Sequence, residues 1–184
     1  MIVVIEPFKD LKEFLSRVDD FFTKDPVHHA PVLKILTTLT KNFNQFGDED
    51  PWFFCVSDEG GNILGAGVHT PPRPLVMTDM PNSAVCRLVE YLKNNNIGLR
   101  GLRGPLKPAR LFVELWHESK TEALSPVVEL KLYRLGEVNY DIRTQGQLVP
   151  ATAEHLDLAH AWITEFAVEV ELPHGGPTSE HIAN

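Results

Sequence analysis

The chain reads as an α/β fold, a mixed, mostly antiparallel sheet with helices on both faces. Three observations predict it. Short apolar runs of strand length are interspersed with longer runs whose apolar residues recur at helical spacing. Two of the strand-like runs flank Asp58-Glu59-Gly60-Gly61-Asn62, which has the composition of a hairpin turn. The hairpin is followed by alternating strands and helices, an order that places helices on both sides of a mixed sheet.

The elements follow in order. Residues 2–6 (IVVIE) form a short strand, and Asp10 then caps a helix, with Glu13 placed for a capping box. Leu11, Phe14, Leu15, Val18, Phe21 and Phe22 make one apolar stripe that ends at Asp25-Pro26. A second helix is predicted from about His29 to Phe43, with Val32, Leu33, Leu36, Leu39 and Phe43 facing inward. Pro51–Val56 and Ile63–His69 are the hairpin strands. Gly65 and Gly67 inside the second of them signal a bulge or a close backbone approach.

Pro74–Met77 forms another strand, and Asn82 or Ser83 caps a third helix whose Val85, Leu88, Val89 and Leu92 share a face. After a short strand or loop, a fourth helix covers roughly 106–119 with Leu111, Phe112, Leu115 and Trp116 inward. Val128, Leu130, Leu132 and Arg134 alternate with Val127, Glu129, Lys131 and Tyr133, the pattern of a half-buried strand. From residue 145 a strand and then a helix are predicted, with Thr152 as the cap and Leu156, Ala159, Ile163, Phe166 and Val170 as the stripe.

Composition narrows the partners. The 184 residues are 43% hydrophobic and 23% charged, a globular balance, and no apolar run approaches the roughly 18 residues of a membrane span. A net charge of −8 argues against nucleic acid as a partner. The start, MIVVIEPFKD, lacks the basic flank and long apolar stretch of a secretory signal. Cys55 and Cys86 sit in apolar runs and read as reduced, buried thiols, which points to the cytoplasm.

Charge is distributed unevenly. Residues 151–184 hold six acids and no Lys or Arg, whereas 97–113 carry Arg100, Arg103, Lys107 and Arg110 with no acid. Gly98, Gly101 and Gly104 punctuate that basic stretch before Pro105. Arg100, Gly101, Arg103, Gly104 and Lys107 are therefore the candidate anion site, since glycines expose backbone donors ahead of a helix. The same residues also read as a turn with a solvated basic rim, and Arg100 or Arg103 as a partner of the acidic second-lobe helix. The histidines suggest no metal site. His28 and His29 are adjacent and diverge, and His155 and His160 lie roughly 140° apart around a helix.

The element order, restarted after residue 144, resembles the GNAT superfamily of acyl-CoA-dependent N-acetyltransferases, and most of all its two-lobed members. Gly65-Ala66-Gly67-Val68-His69-Thr70-Pro71-Pro72 is similar to the strand and double-proline turn of their first lobes. Arg103-Gly104-Pro105 with Phe112 and Trp116 resembles their helix entry and its aromatic pair. Leu132-Tyr133-Arg134-Leu135 looks like their closing strand, and Leu148-Val149-Pro150-Ala151-Thr152 like the start of the catalytic lobe.

The resemblance implies residues 1–138 as a degenerate first lobe, 139–144 as a linker, and 145–184 as the first strand and helix of a truncated catalytic lobe with a mobile tail after Pro173. It also implies acetyl transfer from acetyl-CoA, as co-substrate, to a small-molecule amine. Glu165 and Glu169, one turn apart on a helix that borders the acceptor groove in such proteins, are the candidate amine-side acids.

The family's diphosphate loop, Gln/Arg-x-x-Gly-x-Gly/Ala, has no counterpart in the first lobe. The equivalent junction reads Thr78-Asp79-Met80-Pro81-Asn82-Ser83, without glycine. In the second lobe the loop falls past Asn184. The fourth helix holds Phe112, Trp116 and His117 but no tyrosine to serve as an acid, so no catalytic residue is assigned. The expectation is a chain inactive by itself. The alternatives are a non-catalytic binding module, or an enzyme completed by a partner chain. Trp162, Ile163, Phe166 and Val170 further predict either a homodimer through helix 153–170 or docking of that helix onto the first lobe.

Overall fold

The sheet begins with β1 (Val3–Phe8), which runs antiparallel to β2 (Trp52–Asp58) with Val3 opposite Asp58 and Phe8 opposite Phe53. The computed structural model describes residues 2–117, 129–140 and 145–169. Between β1 and β2 the chain forms α1 (Leu11–Lys24) and α2 (Ala30–Lys41). Asp10 caps α1 as its sequence predicts, its carboxylate accepting from the Glu13 backbone N–H at 2.8 Å. Across the same junction Arg17 grips Glu6, with Nε to Oε2 at 2.9 Å and Nη2 to Oε1 at 3.0 Å, tying α1 to β1.

Helix α2 stops at Lys41, with the Asn42 N–H closing onto the Thr38 carbonyl at 2.9 Å. Phe43 therefore falls past the helix and is 37% exposed, which corrects its expected inward place. The helical period that would bury it no longer applies beyond Lys41.

The hairpin closes through Asp58, whose Oδ1 accepts from the backbone N–H groups of Gly60 and Asn62, each at 2.9 Å. Gly61 turns the chain at φ +78. The β2–β3 (Ile63–His69) register slips between Val56 and Ser57, which pair with Gly65 and Ile63, a bulge that gives β3 one extra residue, Leu64. The close approach read from the β3 glycines is real. A methyl group on Gly67 would lie 2.5 Å from the Phe54 ring and 2.6 Å from the Val76 carbonyl oxygen.

Strand β4 (Leu75–Met77) pairs antiparallel with β3, and β5 (Leu102–Arg103) pairs parallel with β4. The sheet order is β1-β2-β3-β4-β5. Helices α3 (Asn82–Asn94) and α4 (Leu106–His117) carry the chain into and out of β5. The N-cap of α3 is Pro81, not Asn82 or Ser83. The Pro81 carbonyl already accepts from Ala84 and Val85 at 2.9 and 3.1 Å, so the helix starts earlier than the polar residues suggest.

Successive side chains of β2 serve opposite faces. Phe53 and Cys55 pack with Phe14, Val18, Val32 and Leu36 of α1 and α2, while Phe54 and Val56 pack with Val85, Leu88, Phe112 and Trp116 of α3 and α4. Burial on both faces explains why β2 reads as a continuous apolar run. The result is the predicted α/β arrangement, a mixed and mostly antiparallel sheet between two helical layers.

The chain divides into two compact units, Met1–Leu124 and Ser125–Asn184. The second contains α5 (Leu156–Glu169), preceded by a 3-10 turn at Ala153–His155. Thr152 stands at its head as predicted, with His155 Nδ1 3.0 Å from its backbone nitrogen and 2.9 Å from its hydroxyl. Two predicted strands are corrected. Residues 129–135 and 145–150 have no strand structure, and Leu130 and Leu148 are 76% and 99% exposed. Alternation prepares a segment for a ladder, but a strand exists only where a neighbour takes its backbone hydrogen bonds. Val127 and Val128 of the first of these, most of the 139–144 linker, and the tail after Pro173 lie outside the described residues.

Candidate functional site

The strand ends on one side of the first unit open into a cleft of about 920 Å³. Its wall begins with Phe8 and Lys9 at the end of β1 and continues through Trp52 of β2 and His69 of β3. Tyr91 of α3, Arg100 just before β5, and the acids Glu49 and Asp50 ahead of β2 also line it. Antiparallel pairing sets Trp52 directly opposite His69, and the indole Nε1–H donates to His69 Nδ1 at 3.0 Å. The indole also meets the rings of Phe54 and Tyr91, with centroids 5.5 and 6.5 Å away.

His69 is 5% exposed, and burial lowers its pKa below the ordinary histidine value of 6.5. A hydrogen bond with the Arg73 backbone and the nearby Glu49 carboxylate oppose that shift. One ring nitrogen is taken by Trp52, and the ring is also tied to the Arg73 backbone.

A smaller recess of about 310 Å³ lies among Phe21, Asp25, His28, His29, Asp79 and Pro105. The two histidines diverge as read from the sequence. His28 is an exposed side chain with Nδ1 2.7 Å from Asp25 Oδ2, and His29 is buried and stacked on Phe21 at 4.5 Å. The His28 backbone N–H is the main cause that holds the Asp25 carboxyl below its usual range. His29 Nδ1 is buried without a hydrogen-bond partner among the described residues. No group of three or more His, Cys, Asp or Glu among those residues could hold a metal ion. No described helix is long and apolar enough to cross a membrane.

The junction between β4 and α3 is filled by its own chain. Thr78 exchanges two bonds with Ala66: its N–H donates to the Ala66 carbonyl, and its hydroxyl accepts the Ala66 N–H, each at 2.9 Å. The Met80 N–H donates to Asp79 Oδ1 at 3.1 Å, and the buried Met80 side chain fills the space beside Gly65.

The predicted anion residues do not converge. Gly101 accepts from the Leu75 N–H at one end of β4, whereas Gly104 lies against Met77 at the other. Their missing side chains serve packing, since a methyl group on Gly104 would come within 2.8 Å of Met77 Cγ. Arg103 is exposed on β5 and Lys107 is exposed on α4; of the five, Arg100 lines the cleft. Glu165 and Glu169 are exposed on α5 in the second unit. None of the described residues of α5 is buried, and Trp162 and Phe166 are 63% and 58% exposed.

The sequence reading missed Trp52, His69 and Tyr91 as a group. Counting outward from Ser57 opposite Ile63 would have set Trp52 against Val68; the bulge shifts the register by one residue and brings His69 opposite instead, while Tyr91 arrives from a helix on another layer and left no local signal. Comparison with protein-family models, curated proteins and solved structures finds no match to this chain.

Proposed function

We propose that this chain is a GNAT-like protein that does not transfer acetyl groups by itself, and that its first unit is a binding module for a small organic ligand. The observation that carries this reading is the β4–α3 junction. An acyl-CoA diphosphate needs several backbone N–H groups converging at a helix mouth. Here the Thr78 and Met80 N–H groups are spent within the protein, Pro81 has none, and Asp79 adds negative charge. The aromatic cleft, with a histidine fixed in its wall, supports binding in place of turnover. The two unpaired cysteines fit a cytoplasmic setting.

Calorimetry with millimolar acetyl-CoA, together with a thiol-release assay over a panel of small amines, tests the reading. Neither heat of binding nor thiol release above background is expected. Micromolar affinity for acetyl-CoA, or turnover by the chain alone, overturns it.

A further inference from the structure

We propose that the cleft at the Trp52–His69 end of the sheet binds a small aromatic anion, its ring against Trp52 and Tyr91 and its carboxylate or phosphate on Arg100. This rests on reading the first unit as a binding module and names the chemistry of its ligand.

The ring surface comes first. With its N–H taken by His69, the Trp52 indole is held at one angle and offers the cleft only its π face and carbon edge. Tyr91 stands 6.5 Å away and is inclined by 45°, so the two rings form a corner open to the cleft. A planar ring is the shape that covers both faces of such a corner, and aromatic pairs gain beyond simple area burial. A cleft of about 920 Å³ is at the upper end of small-molecule sites.

Charge then selects an anion. Four charged residues line the cleft: Lys9 after β1, Glu49 and Asp50 before the neighbouring strand β2, and Arg100, so at the β1–β2 end the two acids more than offset the lysine. Arg100 lies at the far side, before β5, three strand positions from β2 in the sheet order. At a strand spacing of about 4.8 Å that is roughly 14 Å, beyond the screening length of about 8 Å at physiological salt. No acid occurs between residues 97 and 113, and Arg100 makes no ion pair among the described residues. The neighbouring Arg73 is engaged over the Phe46 ring at 5.1 Å. The cleft thus has a positive end at Arg100, where a guanidinium can grip a carboxylate or phosphate with paired N–H donors.

The test uses the full chain and follows the Trp52 indole N–H resonance in a heteronuclear correlation spectrum. The probes are p-hydroxyphenylacetate and adenosine monophosphate. Their neutral counterparts are p-hydroxyphenylacetamide and adenosine, and tyramine is the charge-reversed control. At least one anion is expected to shift that resonance and to bind about tenfold more tightly than its neutral counterpart. Which anion does so separates a carboxylate ligand from a phosphate ligand. Arg100→Gln, an exposed change, is expected to erase the advantage, whereas Arg103→Gln leaves it intact. The proposal is overturned if tyramine or the neutral probes bind as well as the anions, if Arg100→Gln changes nothing, or if no probe moves the Trp52 signal. Acetyl-CoA shifting Asn82 and Ser83 at the start of α3 would instead overturn the non-catalytic reading. Silence of every probe together with silence of acetyl-CoA removes only the ligand class.

Discussion

Trp52 Nε1 donates to His69 Nδ1 at 3.0 Å across a register that sets the two residues face to face on adjacent antiparallel strands. The bond closes the sheet end that forms the cleft and removes one polar atom of each partner from further chemistry. Trp52→Phe keeps the ring but leaves the buried His69 nitrogen without its donor. A loss of about 1–3 kcal/mol is expected from urea denaturation, together with loss of the shifted indole resonance.

The same pair predicts a pH dependence. Burial lowers the His69 pKa below 6.5, so the unfolded chain takes up a proton at this position before the folded chain does. The stabilisation is complete above that unfolded value and is lost as pH falls through the folded one. Denaturant midpoints should fall between pH about 7.5 and pH about 5, in the range where histidine titrates. His69→Gln should flatten the part of that slope due to this ring, and an unchanged slope would show that His69 does not contribute it.

Gly67→Ala places a methyl group 2.5 Å from the Phe54 ring and 2.6 Å from the Val76 carbonyl oxygen. Phe54 is fully buried and the carbonyl belongs to a paired strand, so neither neighbour can withdraw cheaply. A loss of about 2–3 kcal/mol is expected, within the range for overpacked cores, read as a lower midpoint in urea.

The two cysteines should differ in reactivity. Cys55 is fully buried, and burial, reinforced by the Glu6 carboxylate, pushes its pKa up to about 12. Since the thiolate is the reactive form, Ellman's reagent should modify the half-buried Cys86 first and reach Cys55 only on unfolding. Rapid modification of both thiols in the native protein would contradict this.

Tryptophan truncations separate the two units. Trp116 is 2% exposed and stacks on Phe112 with centroids 5.6 Å apart, so Trp116→Ala should cost about 3–5 kcal/mol. Trp162 is 63% exposed, and Trp162→Ala should change stability by no more than about 0.5 kcal/mol at low protein concentration. The homodimer proposed through helix 153–170 adds a second readout. If it forms, sedimentation of the wild type will depend on concentration and that of Trp162→Ala will not.

Much of the first unit was legible because its signals are local. The Asp10 cap, the turn at 58–62 and the stripe Val85-Leu88-Val89-Leu92 each act within a few residues, and each appears where the pattern puts it. Phe43 and the α3 cap were misread where the decisive event, the end of α2 at Lys41 and the carbonyl of Pro81, lay one or two residues from the residue the pattern favoured. The candidate site was barely legible. Arg100 stood out by its charge, but the glycines grouped with it turned out to be spaced along the edge strand and used for packing.

By itself the sequence determined the layered α/β class, the helices and the hairpin, because periodicity and turn chemistry act over distances shorter than one element. Only the tertiary structure decided that Trp52, His69, Tyr91 and Arg100 share a cleft, and that the alternating segments 129–135 and 145–150 are not strands. Both depend on the neighbour a residue acquires from elsewhere in the chain. A side-chain hydrogen bond needs a register and a strand needs a partner, and neither is encoded in the spacing of the residues that form it.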